Sequence, residues 1–541
     1  MDIQLQDKTL GQWMEHWAET TPDKEYLVYS DRDLRFTWKE FNERVDRMAK
    51  GMLSIGIKHG THVGIWATNV PDWLTFLYAA AKIGAVAVTV NTNYKQSELE
   101  FLVENADIHT LCITDGVFDG SYVDMVYTML PELKESQRGY LKSKRFPVLK
   151  NVVYIGQEKY RGMYNTPELL LLGENVSDET LVEAKKLVTP HDVVNMQYTS
   201  GTTGFPKGVM LTHYNIANNG LLTGEHMKFT ADDKLCCCVP LFHCFGVVLA
   251  SMNVLTHGCT QVMVEKFDPL VVLASIHKER CTALYGVPTM FIAELNHPMF
   301  SMFDLTSLRT GIMAGSLCPV ELMKQVEEKM FMRVTSVYGL TEASPGMTHS
   351  RIDDPAEVRY NTVGRDYEFT EVRVIDPETG EPVPEGEIGE LVLTTLDREM
   401  MPLIRYRTRD LTRILPGKCP CGRTHIRIDR IKGRSDDMFI IKGVNIFPMQ
   451  VEKILVQFPE LGSNYLITLE TVNNQDEMIV EVELSDLSTD NYIELEKIRK
   501  DITRQLKDEI LVTPKVKLVK KGSLPQSEGK AVRVKDLRDN K

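Results

Sequence analysis

The sequence predicts an α/β chain: a large N-terminal domain of parallel-rich sheets with an antiparallel β subdomain over residues 1–435, and a small, hinged α+β domain over 436–541. Three observations predict it. Most of the chain alternates amphipathic helical segments with short β-branched runs. Near residues 367–395 the texture changes to strands separated by turn-rich segments, and after Asp436 comes a compact tail with its own hairpin and helix.

The alternation is clearest early, where the pattern reads as helix over 38–53, strand over 62–67, helix over 73–83 and strand over 85–90. Such alternation builds βαβ units and a largely parallel sheet covered by helices. Further on, Glu371-Val372-Arg373-Val374-Ile375 is followed by the turn Asp376-Pro377-Glu378-Thr379-Gly380 and then by Gly389-Glu390-Leu391-Val392-Leu393, an antiparallel pattern. In the tail, 465–469 and 478–484 pair as a hairpin, and Ile493, Ile498, Ile502, Leu506 and Ile510 fall on one side of a helix.

At 541 residues the chain has room for two to four domains with sizeable cores. Its formal charge of −13 argues against a protein built to coat nucleic acid or an anionic membrane, while leaving room for a local basic pocket. The first eight residues lack a basic head followed by an apolar core, so no secretory signal is expected. The longest apolar stretch, 73–90, is broken by Lys82 and changes from helix-like to strand-like. It therefore reads as a buried helix–strand pair rather than a membrane span. Ten cysteines, three of them consecutive at Cys236, Cys237 and Cys238, read as buried reduced thiols in a cytoplasmic protein.

Five motifs carry chemistry. In Tyr198-Thr199-Ser200-Gly201-Thr202-Thr203-Gly204-Phe205-Pro206-Lys207-Gly208, glycines let backbone amides approach an anion, hydroxyls donate hydrogen bonds and a lysine supplies a charge for phosphate. By composition alone this is more readily a flexible turn, and Pro206 breaks the Walker pattern. Tyr338-Gly339-Leu340-Thr341-Glu342 offers an aromatic face for a base, a hydroxyl for phosphate and a carboxylate for a hard divalent cation; alone it is an ordinary strand-to-loop turn. In Tyr406-Arg407-Thr408-Arg409-Asp410 the aspartate suits two ribose hydroxyls, or equally a surface Arg–Asp pair. Gly433-Arg434-Ser435-Asp436-Asp437 marks the domain junction and runs on to Lys442-Gly443. Finally, Gly522-Ser523-Leu524-Pro525-Gln526-Ser527-Glu528-Gly529-Lys530 sets a lysine on a glycine turn, where most terminal lysines are merely solvated.

In this order the five motifs resemble the adenylate-forming superfamily of acyl- and aryl-CoA synthetases, firefly luciferases and peptide-synthetase adenylation domains, over about residues 10–538. The resemblance implies that Thr199, Ser200, Gly201, Thr202, Thr203, Gly204 and Lys207 grip phosphate. It implies that Ala314, Gly315 and Ser316 line the adenine and that Tyr338, followed by Gly339, stacks on it. Thr341 would contact the α-phosphate, Glu342 would bind Mg²⁺, and Asp410, helped by Arg434, would hold the ribose. His243, in Pro240-Leu241-Phe242-His243-Cys244-Phe245-Gly246, would border the acyl pocket, although taken by itself it reads as a satisfied core histidine. Asp436 aligns with the family's hinge, Gly443 with the loop lining the CoA tunnel, and Lys530 with the lysine that drives adenylation, so that the mobile small domain presents Lys530 and Gly443 in turn.

The implied reaction is AMP-forming acyl-CoA synthesis from ATP, CoA and a small-molecule carboxylic acid, with magnesium. The alternatives are an adenylation enzyme loading a carrier protein and a non-catalytic nucleotide-binding homologue. No nucleic acid or membrane span is expected, and a homodimer stays open. Thr408-Arg409-Asp410 replaces the family's usual Thr-Gly-Asp, and Cys419-Pro420-Cys421-Gly422-Arg423-Thr424-His425 is inserted before the hinge. These features and the Ser527-Glu528-Gly529-Lys530 ending look like phenylacetate-CoA ligases, whereas the first four hundred residues or so look like fatty and medium-chain acyl-CoA synthetases. The apolar run after His243, with Phe245, Val247, Val248, Leu249 and Met252, points to a medium-chain, branched or aryl acid rather than acetate. Cys419, Cys421 and His425 either begin a zinc site, for which no fourth ligand is evident, or form a tight turn with two thiols.

Overall fold

In the computed structural model the first helix begins as its sequence dictates. The structure describes residues 3–117, 120–199, 206–316, 318–377, 379–396, 402–417, 426–435, 439–441, 444–446, 448–472, 475–485, 491–510, 512–525 and 533–538. Helix Leu10–Thr20 and helix Trp38–Ser54 each start with a capping box, in the second case Thr37 with Glu40, which satisfies backbone N–H groups that a helix start leaves open. Helix Pro71–Lys82 carries proline in its first turn and is apolar nearly all round, so it is buried on every side. The lysine that interrupts this apolar run is buried too. Lys82 Nζ donates to Asn42 Oδ1 (2.6 Å) and Asp46 Oδ1 (2.7 Å), the pairing that a buried ammonium requires. Among the described residues no helix is long and apolar enough to cross a membrane.

The chain divides into two compact units, one comprising Met1–Val372, Thr394–Ile404 and Lys418–Arg427, the other Arg373–Leu393, Arg405–Gly417 and Ile428–Lys541. The first unit holds two large sheets. One runs in spatial order Lys207–Thr212, Val193–Thr199, Val86–Thr89, His62–Trp66, Thr110–Ile113, Asn151–Tyr154 and Tyr164–Asn165, parallel except for its first strand. In the other, strands Arg333–Gly339, Thr310–Ala314, Ala283–Gly286, Lys234–Cys237, Thr260–Met263 and Glu25–Tyr29 lie side by side in parallel. Gly346–His349, Arg365–Asp366 and Leu34–Thr37 extend that sheet antiparallel at its two edges.

One apolar cluster draws on both sheets, with Val63, Ile65 and Ala87 from one and Cys237, Tyr285 and Ile312 from the other. A polar clasp reinforces it. Asn69, in the loop after strand His62–Trp66, donates through Nδ2 to the carbonyls of Val239 (3.0 Å) and Val264 (3.2 Å) and accepts the N–H of Leu241 at Oδ1 (2.8 Å). Its own backbone N–H reaches Glu265 O (3.2 Å) and its carbonyl takes the Tyr29 hydroxyl (2.7 Å). The eight cysteines among the described residues are all buried and free, including the run at Cys236, Cys237 and Cys238.

The second unit contains the antiparallel sheet Thr370–Ile375, Gly389–Thr395, Tyr406–Thr412 and Gly433–Arg434, whose first and second strands cross into the first unit at their ends. It also contains the C-terminal sheet in the order Lys515–Val519, Gln475–Leu484, Leu461–Val472 and Val534–Asp536. The expected hairpin forms, with Tyr465 opposite Val482 and Leu469 opposite Met478. Helix Tyr492–Ile510 buries Ile502, Leu506 and Ile510 against this sheet and packs Ile498 at its margin; the side chain of Ile493 lies outside the described residues. The antiparallel segment read from sequence as part of the large domain thus clusters with the C-terminal residues.

Removing the Asn69 amide leaves two carbonyls and one N–H without their buried partner. Asn69→Ala is expected to lower folding stability by roughly 2 to 4 kcal/mol, at about 1 kcal/mol or more per unsatisfied group. Chemical denaturation of both proteins checks this, and a loss under about 1 kcal/mol would mean that water replaces the clasp.

Candidate active site

Parallel strands end along a common edge, and loops leaving that edge form ligand crevices in open α/β sheets. Register fixes which residues meet there. Ala314 lies beside Val337, Gly286 beside Met313, and Cys237 beside Tyr285. The segments Val239 to His243, Ala314-Gly315-Ser316 and Tyr338 to Glu342 therefore leave one edge together. Gly315 and Ser316 are exposed, while Tyr338 is half-buried. At Gly339 a Cβ would lie 2.0 Å from the Pro345 carbonyl oxygen, so only glycine lets the two strands approach here. Asn219 fixes the same hairpin by exchanging two hydrogen bonds with the backbone of Gly346 (3.0 and 3.1 Å).

In the other sheet, strand Val193–Thr199 turns back into strand Lys207–Thr212, with Thr199 opposite Lys207 and Lys207 exposed. Ser200, Gly201, Thr202, Thr203 and Gly204, which connect them, lie outside the described residues. The same holds for Asp436, Gly443 and Lys530 and for the candidate zinc ligands Cys419, Cys421 and His425. Among the described residues no cluster of three or more His, Cys, Asp or Glu side chains suits a metal.

His243, Cys244 and Thr341 form a short chain. The Thr341 hydroxyl donates to Cys244 Sγ (3.6 Å), and Sγ lies 3.6 Å from His243 Nδ1, which also accepts the N–H of Phe245 (3.2 Å). His243 is exposed, and it is not the enclosed core histidine that the residue alone suggests. The neighbouring Cys244 raises the His243 pKa against the effect of burial. Burial pushes the Cys244 thiol up, but His243 and the Thr341 hydrogen bond outweigh it and leave the thiol below its usual value. The following run, Phe245–Met252, is wound as a π-helix that passes directly into helix Asn253–His257. Gly246 lets it start, since a Cβ there would sit 2.2 Å from the Pro240 carbonyl oxygen. Val247, Val248 and Met252 are wholly buried, so the residual surface of this run falls mainly on Phe245, stacked on Tyr285 at 6.1 Å, and on Leu249.

Behind the Tyr338 strand lies a buried polar network. His226 Nε2 donates to Glu368 Oε2 (2.7 Å), and its Nδ1 accepts from Arg351 Nη1 (2.7 Å), which makes the imidazole neutral. His349, opposite Val337, bonds Thr335 Oγ1 (3.0 Å) and lies 3.2 Å from His226. Burial lowers His226 to about 4 and takes His349 well below its usual range; burial pushes Glu368 up, but the hydrogen bond from His226 and the charge of Arg351 bring it to about 2. In the N-terminal region, His213 accepts the Leu10 N–H (3.1 Å) and burial lowers it to about 3.

In the second unit Asp410 and Arg434 are backbone partners, and Arg434 Nη1 donates to Asp410 Oδ1 at 3.2 Å. The structure therefore joins Asp410 to Arg434, His243 to Thr341, and Thr199 to Lys207. Sequence reasoning missed Asn69 and Asn219, which position the loops, the thiol role of Cys244 and the buried carboxylate of Glu390. Only Glu390 had a local signal, as a charge inside an otherwise apolar strand.

Two sheets whose edges carry a hydroxyl–lysine hairpin and a Tyr-Gly-Leu-Thr-Glu turn, with a further α+β unit, make up the architecture of an adenylate-forming enzyme. The model of the AMP-binding enzyme family matches residues 14–397, and that of the AMP-binding enzyme C-terminal domain matches residues 443–538. The chain is 44% identical to YngI of Bacillus subtilis (strain 168) over 464 residues, 84% of each protein. It is 33% identical to the mitochondrial medium-chain acyl-CoA ligase ACSF2 of Danio rerio, covering 84% of this chain and 77% of that protein. Identity to the acyl-CoA ligase sidI of Aspergillus fumigatus is 34%, with the same coverage. Among solved structures, the anthranilate CoA ligase AuaEII with anthranoyl-AMP shares the fold at a TM-score of 0.74 and 20% identity, over 97% of this chain and 95% of that one. ATP-bound MatB from Rhodopseudomonas palustris does so at 0.72 and 20%, over 97% of each chain. The chain belongs to the AMP-binding enzyme family.

The buried histidines set a pH dependence. A histidine held neutral in the fold and titrating near 6.5 when unfolded contributes its full stability above pH 6.5, and that contribution is lost as pH falls towards the folded value near 4 for His226. Each such group changes stability by about 1.4 kcal/mol per pH unit within its window. Denaturation midpoints should therefore fall steadily from pH 6.5 to 4.5, and His213→Gln or His349→Gln should flatten the slope. An unchanged slope in both variants would contradict the assignment.

Proposed function

We propose that this enzyme is an acyl-CoA synthetase: it condenses a medium-chain, branched or aryl carboxylate with ATP to acyl-AMP and pyrophosphate, then passes the acyl group to CoA. The observation that carries the reading is the chain from Thr341 through Cys244 to His243, which ties the hydroxyl suited to the α-phosphate to the segment suited to the acyl group. In the first step a carboxylate oxygen bonds to the α-phosphorus as the bond to pyrophosphate breaks. In the second the CoA sulfur bonds to the acyl carbon and AMP leaves. Two anions must meet in the first step, so the work is positioning and charge compensation.

In this reading Tyr338 and the Ala314-Gly315-Ser316 segment hold the adenine, the Thr199–Lys207 hairpin holds phosphate oxygens, and Asp410 with Arg434 holds the ribose. Glu342 suits magnesium, because that cation takes one or two carboxylates and fills its shell with phosphate oxygens and water; when bound it neutralises triphosphate charge. Lys530 compensates charge between carboxylate and α-phosphate, the Gly443 loop admits the thiol, and a hinge at Asp436, the first residue of a mobile domain spanning 436–541, exchanges the two. The buried free thiols fit a reducing compartment such as the cytoplasm.

Pyrophosphate release and acyl-CoA formation across acetate, hexanoate, a branched acid and phenylacetate test the function. Each buried methylene contributes about 0.8 kcal/mol, so hexanoate or phenylacetate should exceed acetate in kcat/KM by at least roughly tenfold. Acetate preferred over both would sink the substrate class, and acyl-AMP made without free acyl-CoA would favour a carrier-loading enzyme.

Assayed by half-reaction, Lys530→Ala should lose pyrophosphate release from acid and ATP by at least about a hundredfold, as for removal of a transition-state charge, yet still convert supplied acyl-AMP and CoA to thioester. Gly443→Leu should do the reverse. Equal slowing of both steps by each substitution would rule out alternation.

A further inference from the structure

Thr408-Arg409-Asp410 leaves the regular register of its sheet. Glu390 pairs with Leu411 and Val392 with Arg407, so residues 408–410 stand opposite Leu391 alone. Such a bulge re-aims the side chains it contains, Asp410 among them. Arg409 sits at φ +67°, a left-handed conformation natural to glycine and strained for a side chain as large as arginine. What holds it there is a carboxylate from the neighbouring strand. Glu390, fully buried, accepts the Arg409 backbone N–H at Oε1 (3.2 Å) and takes the Arg407 guanidinium in a fork, Nε to Oε1 at 3.0 Å and Nη2 to Oε2 at 2.6 Å. The bulge is locked from its other sides as well. Thr408 Oγ1 donates to Leu391 O (2.8 Å) and accepts the Asp410 N–H (3.1 Å), while the Ser435 N–H reaches Arg409 O (2.7 Å).

A fully buried carboxylate persists only where pairing offsets its lost hydration. Besides Arg407 Nε, Glu390 Oε1 accepts one backbone N–H, that of the strained residue next to Asp410, while Oε2 faces the Arg407 guanidinium and, at 3.8 Å, that of Arg409. A pair serving strand stability alone has no need of a bulge or of a left-handed arginine. We propose that Glu390, clamped by Arg407, is a positioning residue that fixes the backbone of Arg409 and through it aims Asp410 at the nucleotide's ribose hydroxyls. The inference rests on the ribose role of Asp410 stated above. It assigns the arginine that replaces the family's glycine no contact with the nucleotide; its backbone N–H is the part that matters.

The test compares the apparent KM for ATP with that for 2′,3′-dideoxy-ATP in the pyrophosphate-release assay with the full chain. The wild type should favour ATP by at least about tenfold, because a site built around hydroxyls rejects an analogue lacking them. Asp410→Ala should abolish the preference, Glu390→Gln should remove most of it, and the double variant should lose no more than Asp410→Ala does. Arg409→Gly should keep the wild-type ratio, since glycine adopts this backbone and retains the N–H. If Glu390→Gln does not fold, Arg407→Lys, which breaks the fork while keeping the charge, gives the same reading. Equal loss for both nucleotides in the Glu390 or Arg407 variant overturns the proposal in favour of general strand stability. A preference lost in Asp410→Ala but kept in Glu390→Gln overturns the proposal and leaves the ribose reading standing. A wild type indifferent to the two nucleotides overturns the ribose reading itself.

Discussion

The buried amide of Asn69 is the point on which the larger unit turns. Two sheets packed through an apolar cluster are free to slide, because dispersion and hydrophobic burial have little directionality. Hydrogen bonds to Val239, Leu241 and Val264 remove that freedom at the place where chain leaves two adjacent strands. The segment fixed in this way runs straight on to His243 and Cys244, and Cys244 meets Thr341 from the far side of the crevice. The placing of the His243 segment thus depends on an asparagine about 170 residues upstream.

The larger unit holds three of its buried histidines neutral. His226, His349 and His213 are enclosed as uncharged imidazoles, and the carboxylate that does carry charge nearby, Glu368, is bridged by His226 and Arg351. Permanent charge that is buried, as at Lys82 and Glu390, is paired, while Lys207 carries its charge exposed at a strand end. An enzyme that must assemble two anions gains from this distribution. Fixed hydroxyls and amides supply directional donors, and strong charge is brought only where the reacting groups need it.

The alternation of helices and strands was legible because period and propensity are local, as the helix starts at Thr37 and Pro71 illustrate. The strand end and turn at Tyr-Gly-Leu-Thr-Glu were legible for a similar reason, since the five residues are adjacent. Cys244, Asn219 and Asn69 were not, because each acts on a partner roughly 100 to 170 positions away. Glu390 was visible as a charge in an apolar strand, but its partner became evident only once the bulge brought Arg409 back beside it. The apolar run after His243 was legible only in part. Its composition does not separate Phe245 and Leu249, which keep a little exposure, from Val247, Val248 and Met252, which are wholly buried.

The π-helical winding of Phe245–Met252 has an evolutionary consequence. A wide turn of this kind holds more residues over the same rise than an α-helix does, and it continues into ordinary helix at Asn253. Deleting a residue within it would allow the α-register to run through, leaving both ends anchored while turning Phe245 and Leu249 to new directions. In this part of the chain, then, a change in length would redirect side chains more sharply than a change of side chain would.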